Sequence, residues 1–286
     1  MSTTRALESP LSGERQAAFE LYLRVACLLA SLAAAWPALR LLSYIWTSSD
    51  YLAHGYLIPV TSAGLVWLRR ERIRENLREA TTPVWGPALV LFAALLQGGA
   101  MLAEAGTAAG IGVVLTIAAT VYAVGGRRLS RTLLVPVGLL LLMVPPPVHL
   151  QDRLLFGLKG VVVHSAVELL HAAGYSVAAT GNRLFVPGHE LFVADACSGL
   201  TSIVTLLPLG VVVAYLLSHG VWRRLLIVGS VVPIAVAGNV ARVVITVALV
   251  ASKGIGYAEG MLHESFGVMT FAGGTVALLL LARLLR

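Results

Sequence analysis

Apolar runs of about eighteen residues recur along this chain, and they restrict its fold more than any other feature. A helix of about twenty apolar residues crosses the roughly 30 Å hydrocarbon core of a bilayer. Inside that core each backbone amide needs an internal partner, which leaves helices or closed barrels as spanning structures. The runs are too continuous for the alternating pattern of a barrel strand. They predict helical spans over 20–46, 51–68, 86–104, 107–124, 132–144, 200–217, 225–250 and 261–282. Only 12% of the 286 residues are charged, about half the share expected of a soluble domain. The expected fold is an all-α polytopic membrane protein of about eight transmembrane helices, forming one integral membrane domain over 1–286. Residues 1–19 are polar and the first apolar run is too long for a signal-peptide core, so 1–19 reads as a cytoplasmic N-terminus.

Between the runs lie the polar segments. Residues 69–79 interleave Arg69, Arg70, Arg72, Arg74 and Arg78 with Glu71, Glu75 and Glu79, the pattern of a solvated helix with charge pairs. Pro145-Pro146-Pro147 must end the run before it. Residues 148–195 are the least hydrophobic long segment. Their first half, to about Ala173, predicts an amphipathic helix at the membrane interface. Their second half carries Arg183-Leu-Phe-Val and Glu190-Leu-Phe-Val around Pro187-Gly188-His189, which predicts a small hairpin.

Basic residues set the orientation, because cytoplasmic loops collect them. With the N-terminus inside, fifteen arginines fall on the inner side: 5, 15, 24, 69, 70, 72, 74, 78, 127, 128, 131, 223, 224, 283 and 286. Four basic residues fall outside: Arg153, Lys159, Arg183 and Lys253. The opposite orientation inverts that ratio and is rejected. The net charge of +7 is thus explained by membrane topology, with no nucleic-acid partner. The expected location is an inner, cytoplasmic-type membrane, with 148–195 extracytoplasmic.

Three chemically notable side chains then share one depth. From the inner marker Arg224 to Arg242 is eighteen residues, about 27 Å of helix. From His263 to the inner marker Arg283 is twenty residues, about 30 Å. Cys197 precedes the outer start of its own run by a few residues. A cysteine becomes a nucleophile as the thiolate, favoured by a nearby cation or histidine. His263 can take the thiol proton and return it to a leaving amine. Arg242, flanked by apolar residues, can hold the thiolate or a developing oxyanion. Asn239 lies one turn before Arg242 on the same face, and Asp195, Ser198 and Glu264 are close enough in sequence to support the group. The competing readings are a small packing cysteine, a snorkelling arginine and an interfacial histidine.

The stretches Asp195-Ala-Cys197-Ser198-Gly199-Leu200, Asn239-Val-Ala-Arg242 and His263-Glu264, in this order, resemble the exosortase/archaeosortase family. His54-Gly55-Tyr56-Leu57-Ile58-Pro59, running on to Trp67-Leu-Arg69-Arg70, is similar to the N-terminal part of exosortases, and the likeness extends from about residue 40 onward. The resemblance implies a membrane cysteine transpeptidase acting on exported, membrane-tethered proteins with C-terminal sorting signals. In bacterial members those signals typically carry a Pro-Glu-Pro motif. It also implies Cys197 as nucleophile, with Arg242 and His263 completing the triad in the catalytic helices of 196–286, on the outer face. No cofactor or metal is implied.

Other groupings suggest less. His164, Glu168 and His171 share one helical face and contain zinc-ligand types, yet no base is placed for hydrolysis; an interfacial polar face is the simpler reading. His189 and Glu190 are candidate substrate contacts. Cys27 reads as packing, and Gly110 and Gly112 as close helix contacts. Two rival functions stand beside the transpeptidase. A transporter would need polar groups near the midplane of several helices. An intramembrane metalloprotease would lose activity to chelators.

Overall fold

A computed structural model describes residues 10–49, 52–181, 183–192, 199–254, 256 and 261–285, with side chains left aside at 10–17, 192 and 261–264. Its helices are α1 (Pro10–Ser48), α2 (Leu57–Leu68), α3 (Arg70–Arg78), α4 (Gly86–Leu102), α5 (Gly106–Thr132), α6 (Leu134–Leu139), α7 (Val148–Ala172), α8 (Leu200–Leu217), α9 (Val221–Lys253) and α10 (Met261–Leu284). Short 3-10 turns precede α2 at Ala53–Tyr56 and follow α6 at Leu140–Met143. Among the described residues six helices are long and apolar enough to span: those containing Ala18–Ser48, Gly106–Thr132, Val148–Ala172, Leu200–Leu217, Val221–Lys253 and Ser265–Leu284. Gly86–Leu102 and Leu134–Met143 are shorter apolar helices. The chain is an all-α polytopic membrane protein with one small sheet.

Two expected segments take a different local form. The run 132–144 is not one helix but α6 plus a 3-10 turn. Pro136 and Gly138 sit inside it, and both disfavour a long regular helix. Residues 148–172, read as an interfacial helix, make one continuous helix of 25 residues that qualifies as a span. Its buried stripe explains why: Lys159, Val162, Val163, Ala166 and Leu170 recur at helical spacing. This stripe packs against Val240, Val243 and Val247 of α9. The polar residues that lowered its apparent hydropathy, His164, Glu168 and His171, lie on the other side.

The chain divides into two compact units, one holding residues up to Trp46 with Gly55–Pro145, the other Thr47–His54 with Pro146 onward. In the first unit α4 packs along α5. Hydrocarbon gives helices no hydrophobic reason to associate, so small residues and polar contacts do the joining. Gln97 is buried; it donates to the Ala34 carbonyl at 2.6 Å and accepts from Thr116 at 3.1 Å. Ser31 and Thr120 bond each other. Cys27 is buried with Val90 and Ala123, as a packing residue would be. Gly110 and Gly112 are close-contact glycines, as expected: a Cβ at Gly112 would stand 2.8 Å from Gln97 Cβ and 2.9 Å from its Cα. Gly112→Val is therefore expected to destabilise the protein by about 1–3 kcal/mol. Thermal melting in detergent reads this, and an unchanged midpoint would refute the close packing. The charged helix α3 forms an anticipated pair, with Arg74 Nη1 3.3 Å from Glu71, and just past its end Glu79 bonds Arg128 of α5.

In the second unit α8, α9 and α10 pack together around Leu206, Val213, Ile227, Val231 and Leu278. Gly210 and Gly274 let these helices approach: a Cβ at either would crowd Val231 or Leu206 at 2.6 and 2.9 Å. The expected hairpin is present as β2 (Arg183–Val186) and β3 (His189–Phe192), paired Phe185 to Glu190 and Val186 to His189 around Pro187-Gly188. A third strand, β1 (Ala178–Thr180), adds to β2. The sheet's buried residues Leu184 and Val186 join the cluster shared by α7 and α9.

Candidate active site

The site is built where α8 begins. Gly199 caps its N-terminus with φ +88°, a left-handed conformation that side chains with a Cβ rarely adopt. The position also has neighbours on two sides. A Cβ on Gly199 would lie 3.7 Å from Asn239 Nδ2 on α9 and 3.9 Å from Val162 Cγ2 on α7. The residue two positions after Cys197 is thus seated between two helices.

Asn239 is fully buried. Its amide nitrogen donates to Ser202 Oγ at 2.8 Å and to the Ala235 carbonyl at 2.8 Å. It ties α9 to the first turn of α8 and does not bond Arg242, the partner expected for it. Its Oδ1 is buried and has no hydrogen-bond partner among the described residues.

Arg242 follows one turn later, 7% exposed. Its guanidinium lies over Gly267 of α10: a Cβ there would be 3.5 Å from Nη1 and 3.7 Å from Cζ and Nη2. Gly267 is four residues after His263, on the same face of the same helix. The first turn of α8 and the second turn of α10 therefore meet one face of α9, at Asn239 and Arg242 respectively. Beyond Arg242, α9 continues eleven residues to Lys253, about 16 Å. Arg242 thus lies well inside α9 rather than at its end.

Of the expected site residues, Arg242 and Asn239 are described in full. His263 and Glu264 belong to the first turn of α10, with their side chains outside the described residues. Cys197, Asp195 and Ser198 lie outside the described residues.

Sequence reading missed three participants. Ser202 receives the Asn239 amide, and Gly267 makes room for the guanidinium; the glycine's spacing from His263 was the available signal. Lys159 is the third. It was counted as an outer-side charge, yet it is 3% exposed on the α7 stripe, one turn from Val162. Among the described residues, Lys159 and Arg242 are the only buried charged side chains. Each stands three residues along its helix from a side chain that touches Gly199, Lys159 from Val162 and Arg242 from Asn239.

The remaining candidates are placed elsewhere. His164 and Glu168 are exposed on α7. His171 Nε2 lies 2.6 Å from the Val177 carbonyl, joining the helix to the sheet. Among the described residues no group of three or more His, Cys, Asp or Glu could hold a metal ion. Glu190 pairs with Arg183 at 2.8 Å on the exposed side of the hairpin, and His189 is half-buried beside the turn. A cavity of about 730 Å³ opens between the end of α7 and the sheet, lined by His171, Tyr175, Val177, Phe185 and Pro187.

No curated protein and no solved structure matches the chain. A family model described as transmembrane exosortase matches residues 46–280. That span contains every helix from α2 to α9 and nearly all of α10, together with the whole of the Gly199–Asn239–Arg242–Gly267 arrangement. The chain belongs to the transmembrane exosortase family.

Proposed function

We propose that this protein is a cysteine transpeptidase or protease that cleaves C-terminal sorting signals from exported, membrane-tethered proteins. Cys197 is the nucleophile, His263 the proton carrier and Arg242 the anion-stabilising group. One observation carries the reading: Gly199 and Gly267, neighbours in sequence of Cys197 and His263, both abut one face of α9, at Asn239 and Arg242.

The chemistry follows from the groups. His263 accepts the thiol proton, and the thiolate adds to the scissile carbonyl. In sequence Cys197 stands three residues before α8 opens at Leu200, and a helix N-terminus favours a thiolate near it. The oxyanion that forms is held by the Arg242 guanidinium in a buried, low-dielectric setting. Collapse expels the amine, which takes the proton from His263 and leaves a thioester on Cys197. An acceptor amine or water then gives a proton to His263 and attacks the thioester. The second collapse releases the product and restores the thiol. Asp195, Ser198 and Glu264 are assigned supporting contacts, and Asn239 a positioning role through Ser202. No metal enters the scheme. Chelators are expected to leave processing unchanged, as is the double change His164→Ala with His171→Ala. Inhibition by chelator that added zinc reverses would replace this mechanism with a metalloprotease.

The topology is part of the proposal. Ten residues of α6 and its 3-10 turn cover at most about 20 Å, less than a bilayer core, whereas α7 covers about 37 Å. With α7 crossing in place of the run 132–144, and with α2 and its preceding 3-10 turn (together about 26 Å) kept as a crossing, eight crossings remain and the β-sheet stays on the outer face. A cysteine introduced as Arg74→Cys is then unreachable by impermeant thiol reagents in intact cells. Labelling there would invert the arrangement. The function itself is tested by mass spectrometry of an exported substrate's C-terminus. Loss of its terminal helix with active enzyme supports the reading, and an intact C-terminus contradicts it.

A further inference from the structure

A second cavity lies in the first unit, on the arginine-rich side. Its volume is about 650 Å³, within the range of small-molecule sites, about 300–1,000 Å³. One wall is a single helical face. Pro59, Ala63 and Val66 of α2 continue into Arg70 and Arg74 of α3, at spacings of three and four residues. Arg69 (φ −102°, ψ 6°) separates the two helices along this wall. The other walls are apolar, from Leu39, Ile117 and Met143.

The groove thus changes character along its length. From Pro59 to Val66 it is hydrocarbon-like for about 10 Å. At Arg70 and Arg74 it becomes cationic. Trp67 marks the change and is exposed, as interfacial tryptophans are; the Arg70 guanidinium lies 5.1 Å from its ring. Both arginines approach one carboxylate, Glu71, at 3.5 and 3.3 Å. These pairs are solvent-exposed and therefore weak. A phosphate monoanion offers several acceptor oxygens in the geometry that guanidinium forks prefer.

We propose that this groove binds an anionic phospholipid, with an acyl chain along Pro59, Ala63 and Val66 and the phosphate between Arg70 and Arg74. A purely apolar occupant leaves the two charges unused, and a soluble anion leaves the apolar length unused. Basic pockets between membrane helices on the side rich in arginine are suited to such headgroups.

The experiment uses full-length protein in detergent with phosphatidylglycerol or phosphatidylcholine of identical chains. Native mass spectrometry reads lipid retention, and melting reads fold integrity. Wild-type protein is expected to retain phosphatidylglycerol preferentially. Arg70→Gln and Arg74→Gln each lower that retention about fivefold, leaving phosphatidylcholine unchanged. Arg72→Gln, outside the groove, has little effect. Glu71→Gln strengthens retention by freeing both guanidinium groups. Ala63→Phe fills the apolar length and lowers retention of both lipids. Equal retention of the two lipids by wild-type protein, or a preference kept in the double arginine variant, overturns the proposal. So does stabilisation by inorganic phosphate equal to that by phosphatidylglycerol, which would make the site one for small anions.

Discussion

Cys197→Ala is expected to abolish substrate processing while the protein still accumulates in the membrane. Alanine has no atom that can form the acyl bond, so the loss should reach about a thousandfold or more, as when a covalent nucleophile is removed elsewhere. Accumulation should persist because the substitution removes one sulfur atom and adds no bulk. Cys27→Ala is the matched control. That thiol is buried against Val90 and Ala123 in the first unit, and its removal should cost at most a small cavity. Processing assays with immunodetection of both variants give the comparison. Substantial activity in Cys197→Ala would end the covalent mechanism. Equal loss in both variants would point to a general folding effect.

The second large effect is expected at Arg242. Its guanidinium is buried and held over Gly267. Lysine keeps the charge but replaces a planar fork of donors with a compact ammonium. If the oxyanion is bound by directed hydrogen bonds, Arg242→Lys should lose about 10²–10³ in rate, the usual cost of removing one oxyanion donor. If Arg242 acts only through charge, lysine should keep much of the activity, and Arg242→Gln should move the alkylation profile of Cys197 to higher pH. The directed role is favoured because preorganised donors at developing charge are usually the larger contribution. Gly267→Leu offers an independent route to the same answer. It leaves the charge in place but puts side-chain bulk where the guanidinium lies. Its rate should fall towards that of Arg242→Lys, whereas Gly267→Ala, whose Cβ would sit at 3.5 Å in ordinary contact, should be tolerated. Wild-type rates in Arg242→Lys, Arg242→Gln and Gly267→Leu would leave Arg242 as a membrane anchor.

Much of this architecture was legible because bilayer thickness converts residue counts into depth. The spacing from Arg224 to Arg242 and from His263 to Arg283 gave a common level, and the contacts at Gly199 and Gly267 give the lateral neighbours that spacing cannot. The hairpin was legible from Pro187-Gly188 between two β-rich runs. Its third strand was not, since Ala178-Ala179-Thr180 has weak strand preference and gains its place by pairing with Arg183–Phe185. The helical form of α7 was legible, but its packing stripe was not. Window hydropathy averages over all faces, so exposed His164, Glu168 and His171 hid a stripe that packs on α9. Lys159 was invisible for the converse reason: a lysine in a polar segment reads as solvated, and only tertiary packing buries it. The break in 132–144 was signalled by Pro136 and Gly138, but an apolar run with no charge masks such signals.

The most direct test of the central claim is interception of the acyl-enzyme. Hydroxylamine attacks thioesters, so processing carried out in its presence should leave a hydroxamate at the substrate's new C-terminus. Mass spectrometry of that terminus distinguishes a hydroxamate from a free carboxylate. The account predicts hydroxamate with wild-type enzyme and no product with Cys197→Ala. A free carboxylate alone at saturating hydroxylamine, or hydroxamate formed by Cys197→Ala, would contradict it.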